Sequence, residues 1–175
     1  MADVTGCAAG LPGQEERASS GLLHPVRAVV PSYPPDPPPG WCADFIGIPY
    51  RLRGRDRAGC DCWGLCWIVL EERFGINAPC MDGVVWDRDS KPDERRAAAL
   101  VIASTAEEYF DPVASGSEQP GDIVVLSLAG HPLHMGIVVA PGWMLHSAHD
   151  ADAALERYDG LIWRKRVGGF YRVRQ

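Results

Sequence analysis

The chain has 175 residues, and 23 acidic against 17 basic side chains leave a net charge of −6. That length suits one domain plus a tail, and the acidic balance argues against a general nucleic-acid binder, which needs a basic face. No stretch approaches the roughly 18 consecutive apolar residues of a membrane span. Residues 1–10 show neither the basic nor the apolar region of a secretory signal, so the expected place of synthesis is a cytoplasm with no export leader.

Eight of the 15 prolines fall in residues 1–40, where positions 31–40 read PSYPPDPPPG. Such a run is extended and semi-rigid. The sequence therefore divides into a proline-rich arm, 1–40, and a domain, 41–175. The plain reading of the arm is disorder or a surface-draped segment; the sharper one is a strap docked on a partner protein. Residues 42–48 (CADFIGI) are expected as a short helix that Pro49 helps to end. The basic loop from Arg51 to Arg57 follows, read as a solvated face or as a lure for carboxylates.

Asp61 then opens a helix, DCWGLCWIVLEERFG, with Asp61 as N-cap and Gly75 as C-cap. Its interior is apolar almost all round, which places it in the middle of the domain. After a loop, residues 92–110 read as an amphipathic helix with Pro92 in its first turn and acids early. Residues 111–120 read as a linker. Strands are expected at 122–128, 134–140, 143–147 and 169–174, with the Pro141–Gly142 pair as a turn and 161–163 as a further short strand. Helices followed by strands give an α+β fold, with an antiparallel sheet packed on the buried helix.

Three residues stand out for chemistry. Cys62 is the first residue after the Asp61 cap, where the helix dipole and free N–H groups favour thiolate. His134 begins a strand of the later sheet, and His146 lies on the next strand, close to facing it across the hairpin. An imidazole near the sulfur serves as base and later as acid, and a third polar group orients it. A nucleophile at a helix tip with two histidines on adjacent strands is the papain-type arrangement. Taken singly, each residue reads more plainly: a cysteine at a helix start as a small buried side chain, a strand histidine as structural.

Gly47-Ile48-Pro49-Tyr50 and Gly59-Cys60-Asp61-Cys62-Trp63-Gly64-Leu65 resemble the signature of NlpC-type cell-wall cysteine peptidases. Pro120-Gly121-Asp122-Ile123, His134-Met135-Gly136-Ile137 and Met144-Leu145-His146 resemble that family's later blocks, in order, so the resemblance spans about residues 41–174. The G-C-D-C-x-G-L form with G-x-P-Y upstream is especially similar to the branch carried in tails of phages and gene transfer agents. The resemblance implies a papain-like fold with Cys62 as nucleophile, His134 as base and His146 as orienting residue. It makes Tyr50 a residue near the oxyanion and Asp61 the partner of a stem-peptide amine. It implies cleavage of amide bonds in peptidoglycan stem peptides, no metal or other cofactor, and carriage in a virion-like tail. Residues 1–40 would dock on hub or baseplate proteins. The arm has no counterpart in the family domain, and the Arg51 to Arg57 loop differs from the usual Gly-rich lead-in.

Competing readings rest on the same residues. Of six cysteines (Cys7, Cys42, Cys60, Cys62, Cys66, Cys80), Cys60, Cys62 and Cys66 with His131 and His134 suggest zinc, but C-x-C departs from the usual C-x₂₋₄-C spacing. Cys66 reads as core and Cys60 as a loop bystander. His131 and His149 read as exposed loop residues. Trp67 reads as core, whereas Trp63, Trp143 and Trp163 can wall a substrate groove, although packing is the plainer role for each. A non-enzymatic alternative is a structural adaptor or plug of a tail hub, and a third is a cytosolic amidase recycling wall peptides.

Overall fold

A computed structural model describes residues 37–81, 84, 89–149 and 151–175. The expected arm therefore lies outside the described residues up to position 36. A 3-10 turn, Gly40–Asp44, stands where a helix over 42–48 is expected. It goes no further because Gly47 turns left-handed at φ 84° and its N–H donates to Ala153 O at 2.8 Å rather than along a helix.

The basic stretch is not a plain loop. It carries strand β1 (Arg55–Asp56), which pairs with β2 (Gly59–Cys60) in a small hairpin. Its arginines are locally answered: Arg51 pairs with Asp56 and Arg55 with Asp61, each at 2.7 Å, while Arg57 clasps both oxygens of Glu72. Cys60, expected in a loop, is instead a fully buried strand residue.

Helix α1 (Cys62–Val69) starts as expected. The Asp61 carboxylate accepts from Gly64 N–H at 2.7 Å, and a π-turn, Leu70–Phe74, extends the helix to Gly75, left-handed at φ 65°. Trp63, Leu65, Cys66, Ile68, Val69 and Leu70 are buried, so the helix is covered on nearly every side. Helix α2 (Pro92–Tyr109) buries only Ala98, Ala99 and Ile102. Its first turn is closed by Glu94, which accepts from Lys91 N–H at 2.6 Å.

Six strands make one antiparallel sheet: β3 (Phe110–Val113), β4 (Ile123–Leu128), β5 (His131–Ala140), β6 (Trp143–Ala148), β7 (Ala151–Arg157) and β8 (Val167–Val173). Their order across the sheet is β3-β8-β4-β5-β6-β7. β4, β5, β6 and β8 fall where strands are expected. β3 occupies the first part of the expected linker, and β7 has no counterpart in the sequence reading. The expected strand at 161–163 is a turn, because Gly160 O accepts from both Trp163 N–H (3.2 Å) and Arg164 N–H (2.9 Å) and bends the chain there.

α1 packs on β5 and β6, and α2 on β5 and β3. Side chains alternate along the strands. Ile123, Met135, Ile137 and Leu145 join the helices in the main core, whereas Val124, Leu126, Val138 and Met144 point the other way, under Tyr158, Trp163 and Phe170. Apolar residues on both faces explain why β4 and β5 read as continuous hydrophobic runs rather than alternating ones. Asp122, 1% exposed, ties β8 to the start of β4: Arg172 donates to its two oxygens at 2.7 and 2.8 Å, and Gln119 N–H adds a third bond at 2.7 Å. Among the described residues, no helix is long and apolar enough to cross a membrane.

Candidate active site

A cavity of about 450 Å³ opens where the tip of α1 meets the sheet, and its wall includes Tyr50, Asp61, Cys62, Trp63, His134 and Trp163. Five of the six site residues expected from sequence are therefore in the wall of one cavity, and the sixth, His146, lies directly behind His134.

α1 supplies the candidate nucleophile, Cys62. Two of its first N–H groups, those of Cys62 and Trp63, have no preceding helical carbonyl to accept them, and Gly64's is taken by Asp61. The helix tip can approach the β1–β2 hairpin because position 64 has no side chain: a Cβ there would stand 2.0 Å from Gly54 O. The structure adds a force that helix position alone does not include. Cys62 is half-buried by surface area, yet its sulfur is enclosed enough for desolvation to dominate. Burial, with the Asp61 charge beside it, pushes the thiol up to about 12 against the opposing N–H groups of Met135 and Trp63. That direction favours thiol over thiolate at the resting sulfur.

β5 and β6 supply the histidines. His134 Nε2 lies 3.0 Å from His146 Nδ1, both rings are buried, and the rings meet edge-on with centroids 5.2 Å apart. Gly136 keeps this pair close, since a Cβ on it would come within 3.3 Å of His146 Cβ and 2.9 Å of Met144 sulfur. Burial drives His134 down to about 3, with the neighbouring His146 acting in the same direction, so it rests as a neutral base. With Nε2 engaged, Nδ1 is the nitrogen left for a substrate-side proton. Among the described residues, no hydrogen bond joins the Cys62 thiol to His134.

Two residues around the pair extend the sequence reading. Trp163 stacks on His134 (centroids 5.3 Å, 19°) and meets His146 edge-on at 5.3 Å. Its position is that of a groove wall, and it also clamps the base. Glu156, on the unexpected strand β7, was not foreseen. Its Oε2 accepts from Trp163 Nε1 at 2.5 Å and stands 3.3 Å from His146 Nε2. Burial lowers His146, and Glu156 works in the opposite direction. One carboxylate oxygen thus faces both His146 and the ring that covers His134.

The other expected residues have definite surroundings. Tyr50 bridges to Cys60 and packs its ring at 5.2 Å from His149, which is exposed as expected. Trp63 is 4% exposed, and its indole donates to Pro79 O at 3.0 Å, so it forms cavity floor and core at once. Asp61 is more committed than its sequence position suggests: beyond the helix cap, Oδ1 receives Arg55 Nη1 at 2.7 Å and Oδ2 receives Arg53 N–H at 3.0 Å. Cys66 is core, with no surface exposed. Cys7 lies outside the described residues. Cys42, Cys60, Cys62, Cys66 and Cys80 are free thiols, and among the described residues no three His, Cys, Asp or Glu side chains converge as a metal site would require.

Comparison with known proteins agrees with this geometry. The pattern of the NlpC/P60 family matches residues 47–172. The chain is 24% identical over 133 residues to the Escherichia coli K12 protein named murein DD-endopeptidase MepS/murein LD-carboxypeptidase, covering 75% of this chain and 58% of that relative. It is 24% identical over 121 residues to the probable endopeptidase NlpC of the same organism, covering 68% of this chain and 65% of the relative. The chain thus spans less than two thirds of either relative. Among solved structures, an NlpC/P60 family protein from Bacillus cereus superposes with a TM-score of 0.53 at 20% identity, over 78% of this chain and 40% of that one. A lipoprotein-like NLP/P60 protein from Staphylococcus aureus gives 0.52 at 18%, over 75% and 38%. These likenesses show the fold, an α+β papain-like domain. With its family pattern running from Gly47 to Arg172 across both the helix-tip cysteine and the paired histidines, the chain belongs to the NlpC/P60 family.

Proposed function

We propose that the chain is a cysteine peptidase that cleaves amide bonds in peptidoglycan stem peptides. The observation that carries this reading is the cavity itself, with Cys62 at the tip of α1 and the buried His134–His146 pair in its wall. Bound substrate draws thiol and imidazole together. The Cys62 proton passes to His134 Nδ1 as sulfur attacks the carbonyl carbon, and the developing oxyanion is met by N–H at the start of α1 with Tyr50 at its side. The C–N bond breaks as His134 returns the proton to the leaving amine. A water then gives its proton to His134 and attacks the thioester, which releases the acid and restores the thiol. Because both partners rest neutral, the proton moves with the attack and is not lost beforehand.

The proposal extends to delivery. The G-C-D-C-x-G-L form at 59–65, with G-I-P-Y at 47–50, supports membership of the branch carried in phage-like tails. On that reading the protein is made in the bacterial cytoplasm and residues 1–40 hold it to a tail hub or baseplate. Digestion of purified peptidoglycan by wild type and Cys62→Ala, with fragments read by mass spectrometry, tests the chemistry: wild type alone should release stem fragments. Equal digestion by both overturns it, and digestion by neither favours the structural plug. Removing residues 1–40 tests delivery, since a tail-borne enzyme should keep its hydrolysis and lose its place in the particle. A recycling amidase would lose nothing.

A further inference from the structure

Three charged side chains line the cavity among the described residues: Arg55, Asp61 and Arg166. The first two cancel. Arg55 and Asp61 meet at 2.7 Å with side chains 16% and 14% exposed, and Arg55 donates further to Gly54 O (2.8 Å) and Cys80 O (3.3 Å). Asp61 also accepts Gly64 N–H on the same oxygen as Arg55 and Arg53 N–H on the other. An ammonium entering here finds no uncompensated carboxylate.

Arg166 is different. It pairs with no carboxylate among the described residues, and its guanidinium lies 5.5 Å from the centre of the Trp163 ring, which stacks on His134. Its backbone is fixed on both sides: its N–H donates to Trp163 O and its carbonyl accepts from Ser127 N–H, each at 2.7 Å. A guanidinium resting on an aromatic ring keeps its planar fork of donors open, and that fork fits a carboxylate with two parallel hydrogen bonds. Two ring contacts separate it from the base, so a carboxylate held there lies within about three extended residues of the attacked carbonyl.

We propose that Arg166 is a carboxylate-binding subsite, and that the peptide this cavity takes is selected for a free carboxylate near the cleaved amide and not for a free amine. This rests on the function proposed above. It favours stems whose amine is already acylated, as in an intact polymer, over free amino-terminal peptides.

The test uses the full chain and synthetic stem peptides that differ in one group: each carboxylate in turn replaced by carboxamide, and the amine free or acetylated. One carboxamide should lower kcat/KM about tenfold, as expected for loss of a charge-assisted pair at a partly solvated site. Arg166→Gln should show the same loss on the parent peptide and no added loss on that carboxamide, with Arg166→Lys between the two. Acetylating the amine should change the rate less than about threefold, since no charge pair is lost. The proposal is overturned if Arg166→Gln discriminates acid from amide as wild type does, or if acetylation abolishes cleavage. Calorimetric binding of the same peptides to Cys62→Ala separates this from the hydrolase reading. Preference for the acid form there upholds the subsite even if no peptide is cut, and equal binding of acid and amide overturns it.

Discussion

Replacing Gly64 by Ala should force the tip of α1 away from the β1–β2 hairpin. The new Cβ would sit 2.0 Å from Gly54 O, 3.1 Å from Arg55 Nη1 and 3.1 Å from Cys60 Cβ. A carbon–oxygen contact settles near about 3.3 Å, so the helix tip and the β1–β2 hairpin must part by over about 1 Å. Both sides are backbone, and neither can rotate away. The Asp61 cap and the Arg55–Asp61 pair span the same gap and stretch with it. Overpacking of this kind costs about 3 kcal/mol, which for a chain of this size lowers Tm by about 6–12 °C. Thermal unfolding followed by circular dichroism reads the effect. Gly75→Ala is the control: it forces a left-handed conformation, φ 65°, on alanine, but its Cβ would meet no other part of the fold within 4 Å. Backbone strain alone costs about 1 kcal/mol there, or about 2–4 °C. A Gly64→Ala protein that melts within about 2 °C of wild type would refute the close approach of hairpin and helix.

Other consequences are equally direct. Glu156→Gln keeps the bond to Trp163 but removes the charge facing His146, so kcat should fall about tenfold with KM unchanged, and the acid limb of the pH profile should move down, since Glu156 raises His146. A profile unmoved by the substitution would leave Glu156 as packing only. Burial holds folded His134 at about 3, below its ordinary unfolded value near 6.5, so the unfolded chain binds a proton that the folded chain refuses. Stability is therefore whole above about pH 7 and declines as pH falls from about 6.5 toward 3; His134→Gln should flatten that part of a melting-temperature profile. Iodoacetamide alkylation of Cys62 in the empty protein should keep accelerating above about pH 9, because the thiol is pushed up to about 12. A plateau reached by pH 6 would mean a preformed ion pair. Asp122→Asn leaves Arg172 facing an amide at a site 1% exposed and should cost about 2 kcal/mol, read in urea unfolding without change in alkylation rate.

The parts of the fold legible from sequence are those whose own residues dictate them. Asp61 and Gly75 bracket the buried helix through cap chemistry, and β4, β5, β6 and β8 announce themselves by apolar runs and turn glycines. Of the six-stranded sheet, the two strands that escape sequence reading, β3 and β7, are its two edges. β3 contains Pro112, which an edge tolerates because one side of its backbone needs no partner. β7 reads ADAALER, alanines and charges with little strand preference, and is held by backbone pairing to β6. Glu156 went unseen because its strand did. Leu161 and Ile162 mislead in the opposite sense: they are apolar yet 82% and 63% exposed, on a turn whose shape is set by Gly160 and whose purpose is to seat Trp163 on His134. Cys62, His134 and His146 were legible as chemistry. The burial that keeps them neutral depends on Trp163 and on the second apolar layer, and neither has a local signature.

The position of β8 bears on how the protein comes into being. The strand latest in the chain, 167–173, lies between β3 and β4, and β3 has no other neighbour in the sheet. While the polypeptide is still being made, one side of β4 is an open edge and β3 has nothing to pair with. Trp163, which stacks on His134, lies between β7 and this strand in the chain. Until 167–173 has been made, a nascent chain passes through an interval with an adhesive strand edge exposed. Loss of residues 167–173 would leave β3 unpaired and one side of β4 open, an aggregation-prone edge.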